Sequence, residues 1–294
     1  MTTRDNESRF AAPGPDLATE EEEFFTDDAA PEREPLSFVV PTELVELPSK
    51  GQFYGTGHPL SGQETVEIRY MTAKEEDILT SRSLLEKGLA LDRLITSVLV
   101  DKRVKASTLL TGDRNAILIA ARKSGYGADY NTAITCPSCS ESDTHTYNLE
   151  DASVVTSPTP EVLEELGVQL NSAGNFEVTL PSNPVRLEFK LLTGRDETYL
   201  LKSTTAKQKK KTLTDTLVTD QLKLMIISVN DYTDKELLAQ FVDTMTLTDS
   251  RFLRELQQQV TPNVELRKDF VCENCDHEDD IKFPFTVDFF WPQR

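Results

Sequence analysis

Two Cys-x-x-Cys motifs constrain this chain more than any other feature: Cys136-Pro137-Ser138-Cys139 and Cys272-Glu273-Asn274-Cys275, separated by 272 − 139 = 133 residues. Two residues between cysteines let a tight backbone knuckle aim both sulfurs at one ion, and two such knuckles complete a tetrahedral four-thiolate zinc site of the closed, structural kind. The chain carries four cysteines in all, and its start, "MTTRDNESRF", lacks the apolar stretch of a secretory signal. In the reducing compartment this implies, the spacing argues for a metal rather than for disulfides. A redox CxxC expects a βαβ context with a cysteine at a helix start, whereas "ITCPSCSESDTHTYNL" and "FVCENCDHEDDIKFPFTV" are extended segments on either side of a polar turn. The expectation is one structural Zn2+ per chain, bound by Cys136, Cys139, Cys272 and Cys275. Zinc knuckles commonly place a left-handed residue after the second cysteine; here Ser140 and Asp276 stand there. Asp takes that conformation more readily than Ser, so the first knuckle is the geometrically harder one. His145 and His277 read as surface turn residues, since four thiolates fill a zinc shell, and the acidic group Asp276, Glu278, Asp279 and Asp280 reads as a solvated hairpin turn.

The cysteine pairs recur at an offset of 136, and other landmarks recur in the same order. Leu47-Pro48-Ser49 returns as Leu180-Pro181-Ser182 (offset 133), Thr72 to Glu76 as Thr193 to Glu197 (121), and Leu110, Thr111, Arg114 and Ile119 as Leu247, Thr248, Arg251 and Leu256 (137). This order predicts an internal duplication. The first half alone carries a loop, "GQFYGTGHPLSGQ", after its Leu-Pro-Ser. That loop, with the aromatic pair Phe53-Tyr54, is the segment expected to touch a partner protein. Leu-Pro-Ser itself reads as a strand-ending turn rather than a nucleophilic Ser49-Lys50 site, because Ser182 is followed by Asn183 and Pro184.

Within each half, short strand-like alternations such as "TVEIRYM" and "VRLEFKLL" precede helical patterns. Thr72 with Glu75 makes a capping box for a helix ending at Gly88; Thr193 with Asp196 is its weaker counterpart, and Thr233 with Glu236 is another. Leu91, Leu94, Ile95 and Val98 share one helical face, and a further helix runs through "DRNAILIAARKSG" to a stop at Gly125. The fold class is α+β: an internally duplicated strand-plus-helices unit, its halves joined by a zinc-ribbon-like pair of CxxC knuckles. The expected organisation is a disordered acidic tail over 1–36, a first pseudo-repeat over 37–150 and a second over 151–294, with 37–294 forming one compact domain.

A net charge of −19 argues against binding a phosphate backbone, and no apolar run approaches the roughly 18 residues of a membrane helix. The cluster Lys207 to Lys211 is the one basic patch, and "DFFWP" (Asp288 to Pro292) is either a core strand beside the zinc or an exposed anchor. No GxxxxGK[ST], GxGxxG, GxSxG or HExxH pattern is present, so neither an enzyme nor a small-molecule substrate is expected.

The segment "FVVPTELVELPSKGQFYGTGHPLSGQETVEIRYMTAKEEDILTSRSLLEKGLALDRLI", followed by "CPSC", "CENC" and a final "FFWP", resembles the baseplate hub subunit and hub assembly family of T-even-like contractile-tailed bacteriophages. The resemblance covers about 38–294 and implies a non-enzymatic subunit or assembly chaperone, working through contacts with other baseplate hub and tail proteins. It further implies location in the host cytoplasm during assembly and a place in the virion tail baseplate as an alternative end. The competing reading of the residues, a cytoplasmic zinc-ribbon adaptor of transcription or replication complexes, predicts a basic or aromatic face around the ribbon, where "CSESDTH" and "CDHEDD" are acidic or neutral.

Overall fold

The computed structural model describes residues 39–209, 216–282 and 287–290. The tail expected over 1–36, the side chains of the Lys207–Lys211 cluster, and Trp291 and Pro292 lie outside the described residues. From Val40 onward the chain forms one unit, a mixture of helices and small sheets around a continuous apolar core.

Strands β1 (Thr42–Glu46) and β2 (Thr65–Arg69) form an antiparallel hairpin in which Val45 faces Val66 and both are buried. Alternating apolar positions put Val66 and Ile68 on the core side, as the period of two demands. The stretch expected as one helix from Thr72 to Gly88 is two, α1 (Ala73–Thr80) and α2 (Arg82–Glu86). The backbone turns extended at Ser81 (ψ 104°), and its carbonyl accepts from Leu84 and Leu85 to start a new turn. Helix α3 (Ala90–Val98) buries Leu94, Ile95 and Val98, but leaves Leu91 38% exposed, outside the apolar face expected for it.

Helix α4 (Thr111–Tyr126) passes through Gly125 and ends at Gly127, whose φ of 83° is the left-handed stop. Gly125 is instead a close-contact position: a Cβ there would lie 2.2 Å from Met71 Cε. Strands β3 (Asp129–Thr135) and β4 (Ser142–Asn148) make a hairpin around the first CxxC, and β5 (Ser153–Val155) follows. After α5 (Pro160–Glu165) come β6 (Gln169–Leu170), β7 (Phe176–Thr179) and β8 (Arg186–Phe189), then α6 (Gly194–Lys209) and α7 (Leu217–Met225). Strand β9 (Ile226–Val229) completes an antiparallel sheet of order β6-β7-β8-β9. Helix α8 (Lys235–Thr244) is capped by Asp234, which accepts from the N–H groups of Glu236 and Leu237, so the cap lies one residue beyond Thr233. Helix α9 (Leu247–Val260), β10 (Asn263–Glu265), and the hairpin of β11 (Arg267–Val271) and β12 (Glu278–Lys282) finish the fold. The early and late parts interleave: β5 pairs with β10, and Thr111 N–H donates to Leu192 O while Gly194 N–H donates to Leu109 O.

Local geometry recurs along the chain. At the first helix start, Glu75 accepts from the N–H and hydroxyl of Thr72 and pairs with Arg69 at 2.6 Å. In the later part, Asp196 accepts from the N–H and hydroxyl of Thr193 and pairs with Lys190 at 2.6 Å. Both sets are offset by 193 − 72 = 190 − 69 = 121. Likewise Ser49 N–H donates to Asp113 at 3.0 Å and Ser182 N–H to Asp249 at 2.9 Å. Here 249 − 113 = 136, which is also the offset of the cysteines, so α9 aligns with α4 one residue away from the expected 137. Arg114 and Arg251 accordingly differ: Arg114 is buried against Asp92, Glu197 and Ala106 O, whereas Arg251 makes an exposed pair with Glu255.

In the loop found only in the first part, the aromatic pair Phe53-Tyr54 turns into the core, while Gln52, Gly55, Thr56, Gly57, Gly62 and Gln63 stay exposed. Phe53 packs on Phe176 of β7 at 5.3 Å between ring centroids, and the Tyr54 hydroxyl donates to Asp113 at 2.7 Å while accepting from Leu110 N–H at 3.0 Å. Ser49 Oγ donates to the same carboxylate at 2.6 Å. Burial raises the Asp113 pKa, while these donors pull it back. Tyr54 and His58 stack at 4.3 Å, and burial lowers the His58 pKa. At the other end of α4, the buried Arg122 donates to the carbonyls of Phe289, Gly127 and Asp129. Phe289 and Phe290 are thus part of the core, in a 3-10 turn (Val287–Phe290) rather than a strand.

Replacing Tyr54 by Phe removes the acceptor of Leu110 N–H and one donor to a buried carboxylate, and should lower the unfolding free energy by about 1–3 kcal/mol in chemical denaturation. Lys50→Ala, on the exposed side of the same turn, should stay within about 0.5 kcal/mol. Burial raises the Glu75 pKa, but bonds from Ser97 and Thr72 and the Arg69 charge outweigh it and hold this carboxyl below the usual range. Its contribution is therefore present above the unfolded value near 4.3 and lost as pH falls through the lower folded value. Glu75→Gln should be less stable than the parent at pH 7, and its stability should fall less steeply between about pH 5 and 3.

Candidate metal centre

Each CxxC caps a β-hairpin, and the backbone of each is folded the same way. Cys136 N–H donates to Glu141 O and Ser140 N–H to Cys136 O; Cys272 N–H donates to His277 O and Asp276 N–H to Cys272 O. These bonds close a turn only if the residue after the second cysteine is left-handed, and Ser140 (φ 62°) and Asp276 (φ 52°) are. Both positions were legible in the sequence. The two knuckles meet: Cys136 Sγ lies 3.7 Å from Cys275 Sγ and Cys139 Sγ 3.6 Å from Cys272 Sγ, with all four sulfurs within 4.8 Å of one another.

These separations fit a metal ion. Bonds of about 2.3 Å to a tetrahedral centre require sulfur–sulfur edges of about 3.8 Å. Cys136 and Cys272 are buried, Cys139 half-buried and Cys275 exposed. Among the described residues this is the one group of three or more cysteine, histidine or acidic side chains close enough to hold an ion. The sulfurs also interact electrostatically. The Glu141 N–H, then the Asn274 side chain, stabilise the Cys139 thiolate and hold its pKa at about 6. Cys275 receives the equivalent bond from the His277 N–H, yet partial desolvation and the sulfurs of Cys139, Cys272 and Cys136 push it up to about 12. The four sulfurs thus form one interacting set, in which the charge of each is felt by the others.

Neither histidine joins the cluster. His145 lies within β4, not in a turn, and packs edge-on to Phe270 with centroids 5.1 Å apart. His277 sits in the second knuckle, half-exposed and 3.9 Å from Asp279. Glu278, Asp279 and Asp280 belong to β12 rather than to a turn, and Asp280 pairs with Arg267 at 2.7 Å. Sequence reasoning missed the clasp of Ser49, Tyr54 and Asp113, which is a buried packing device with no open face for chemistry. The signal available for it was Leu-Pro-Ser recurring ahead of an Asp in the first turn of a later helix.

Left-handed backbone costs an L-residue roughly 1–2 kcal/mol, and Ser finds no local compensation. Ser140→Gly should therefore tighten metal retention by about 1 kcal/mol, read as slower loss to a colorimetric chelator, and Asp276→Gly should gain less.

A protein-family model described as T4 bacteriophage base plate protein matches residues 41–291. No curated protein and no solved structure matches the chain.

Proposed function

The chain belongs to the T4 bacteriophage base plate protein family, and from that premise we propose that it builds the baseplate hub of a contractile phage tail, as hub subunit or assembly chaperone, through protein–protein contacts and without catalysis. The match over 41–291 carries this reading, because it spans the whole interleaved unit rather than one motif. The partners are other hub and tail proteins, met in the host cytoplasm during assembly, and the tail baseplate is the expected destination. A zinc-ribbon adaptor of transcription or replication is not favoured: it predicts a basic or aromatic face around the ribbon, and the knuckles and the strand ends beside them carry Glu141, Asp143, Glu273, Asp276 and Asp279.

In this reading Cys136, Cys139, Cys272 and Cys275 bind one structural Zn2+, which supplies a cross-link and no chemistry. The ion ties residues on either side of a 133-residue separation, so its binding is coupled to folding. We read 37–150 and 151–294 as two copies of one ancestral unit. The recurring Thr–carboxylate caps, Ser–Asp bonds and knuckles support that descent.

Purified protein should contain one zinc per chain by elemental analysis, and Cys272→Ser should lose it with a lower thermal midpoint; metal-free wild-type protein that keeps its midpoint removes the clamp. Pull-down from infected cells should recover hub proteins with the chain, or mass spectrometry should find it in purified virions. Failure of both overturns the baseplate role.

A further inference from the structure

Beside the cysteine cluster the two hairpins leave a cleft of about 360 Å³, lined by Ile134, His145 and Phe270 and by Glu141, Asp143 and Glu273 near the knuckles. Ile134 and Phe270 are buried and form an apolar floor, with the half-exposed His145 ring edge-on to Phe270. Glu141, Asp143 and Glu273 are exposed around it, and among the described residues no lysine or arginine lines the cleft. No ion pair is formed by these three carboxylates among the described residues, although an exposed carboxylate on the second hairpin, Asp280, is paired with Arg267.

We propose that this cleft is a docking site for a basic segment of another tail protein, which seats a lysine or arginine between the two knuckles; the proposal rests on the baseplate reading and names the partner's chemistry. A long cationic side chain suits both parts of the cleft. Its methylene stem covers Ile134 and Phe270, its head meets the carboxylates, and the His145 ring offers an aromatic neighbour to a guanidinium. The volume lies at the low end of ligand-sized pockets, which run from about 300 to 1,000 Å³, and suits one such side chain with its backbone. A second copy of this chain is disfavoured, because both surfaces would bring acidic loops together on proteins of net charge −19. A divalent cation is disfavoured as well, since these carboxylates and His145 do not converge to ligand distance. The walls come from both hairpins, with Glu273 and Asn274 inside the second CxxC and Glu141 just beyond the first. The cleft therefore exists only while the knuckles are held together.

The test uses the full, metal-loaded chain and a fluorescent peptide with alternating Arg and Ala, at 0.15 M salt, read by anisotropy. Neutralising the cleft with Glu141→Gln, Asp143→Asn and Glu273→Gln should weaken binding at least tenfold. Neutralising three exposed carboxylates elsewhere, Asp77→Asn, Glu161→Gln and Glu236→Gln, should change it less than twofold. Equal losses in the two variants mean attraction to net charge only and overturn the proposal, as does the absence of binding to the parent. Unchanged circular dichroism and zinc content in both variants exclude misfolding as the cause. The assay reads the cleft alone, while virion composition and pull-down read the baseplate role, so either idea can fail without the other.

Discussion

Four cysteine sulfurs lie within 4.8 Å of one another where two hairpins meet, and the placing of those hairpins depends on them. Two unit charges about 4 Å apart repel by about 4 kcal/mol in a partly screened protein environment, and a fully ionised set multiplies that by its pairs. A thiolate cluster without a cation would push its two hairpins apart. Each of those hairpins, β3 with β4 and β11 with β12, is a two-stranded ribbon, a form marginal by itself in water. A cation at their junction would turn that repulsion into a tie between residues 139 apart in the chain. It would also fix a distance between segments that no continuous sheet joins, since the larger sheet holds only β6 to β9.

The remaining architecture depends on carboxylates placed at helix starts. Glu75, Asp113, Asp196 and Asp249 are each buried, and each accepts hydrogen bonds from a backbone N–H. A buried carboxylate without donors would be costly, so each of these fixes the segment that supplies them. Asp113 and Asp249 hold the Leu-Pro-Ser turns onto α4 and α9 across more than 60 residues, while Glu75 and Asp196 hold the helix entries locally. The first site has acquired an extra donor in Tyr54, carried by the loop that the second lacks. That loop joins the two parts of the molecule, because Phe53 from the same segment lies against Phe176. Arg122 does similar work with the opposite charge, spending its donors on three carbonyls that include one near the chain's end.

Signals written within a few residues survived where one local geometry was clearly preferred, and failed where two were nearly equal or where a distant partner decided. The knuckles, the left-handed residues Ser140 and Asp276, and the Thr72–Glu75 cap are written within a few residues each, and all are present. The coming together of the four cysteines was legible because their spacing repeats at both ends of a long separation. By contrast, Phe53 and Tyr54 look like exposed aromatics in a glycine-rich loop. Their burial follows from Asp113 and Phe176, which lie 59 and 123 residues further on (113 − 54 and 176 − 53). Gly125 and Gly127 are equally plausible helix stops by sequence; Met71 packing on the first and a positive φ at the second decide between them. The break at Ser81 and the cap at Asp234 are near-degenerate local choices: at Ser81 the backbone carbonyl starts the new turn, and at Asp234 the side chain reaches the free N–H groups.

These outcomes shift where contact with other proteins can occur. Phe53 with Tyr54, expected to touch a partner, and Phe289 with Phe290, for which a core and an anchor role were both open, are buried in the core. What remains outside is mostly polar and, on balance, strongly negative. Interfaces of that character draw specificity and encounter rate from charge complementarity more than from buried apolar area, and they weaken as salt shortens the reach of each charge. A component built this way selects its neighbours by sign and geometry. Rigidity then matters more than apolar area, because carboxylates held at fixed separations discriminate between cationic partners and mobile ones do not. In the knuckle region the four cysteines bring both hairpins together, so an ion bound there would fix the separations of the carboxylates beside it.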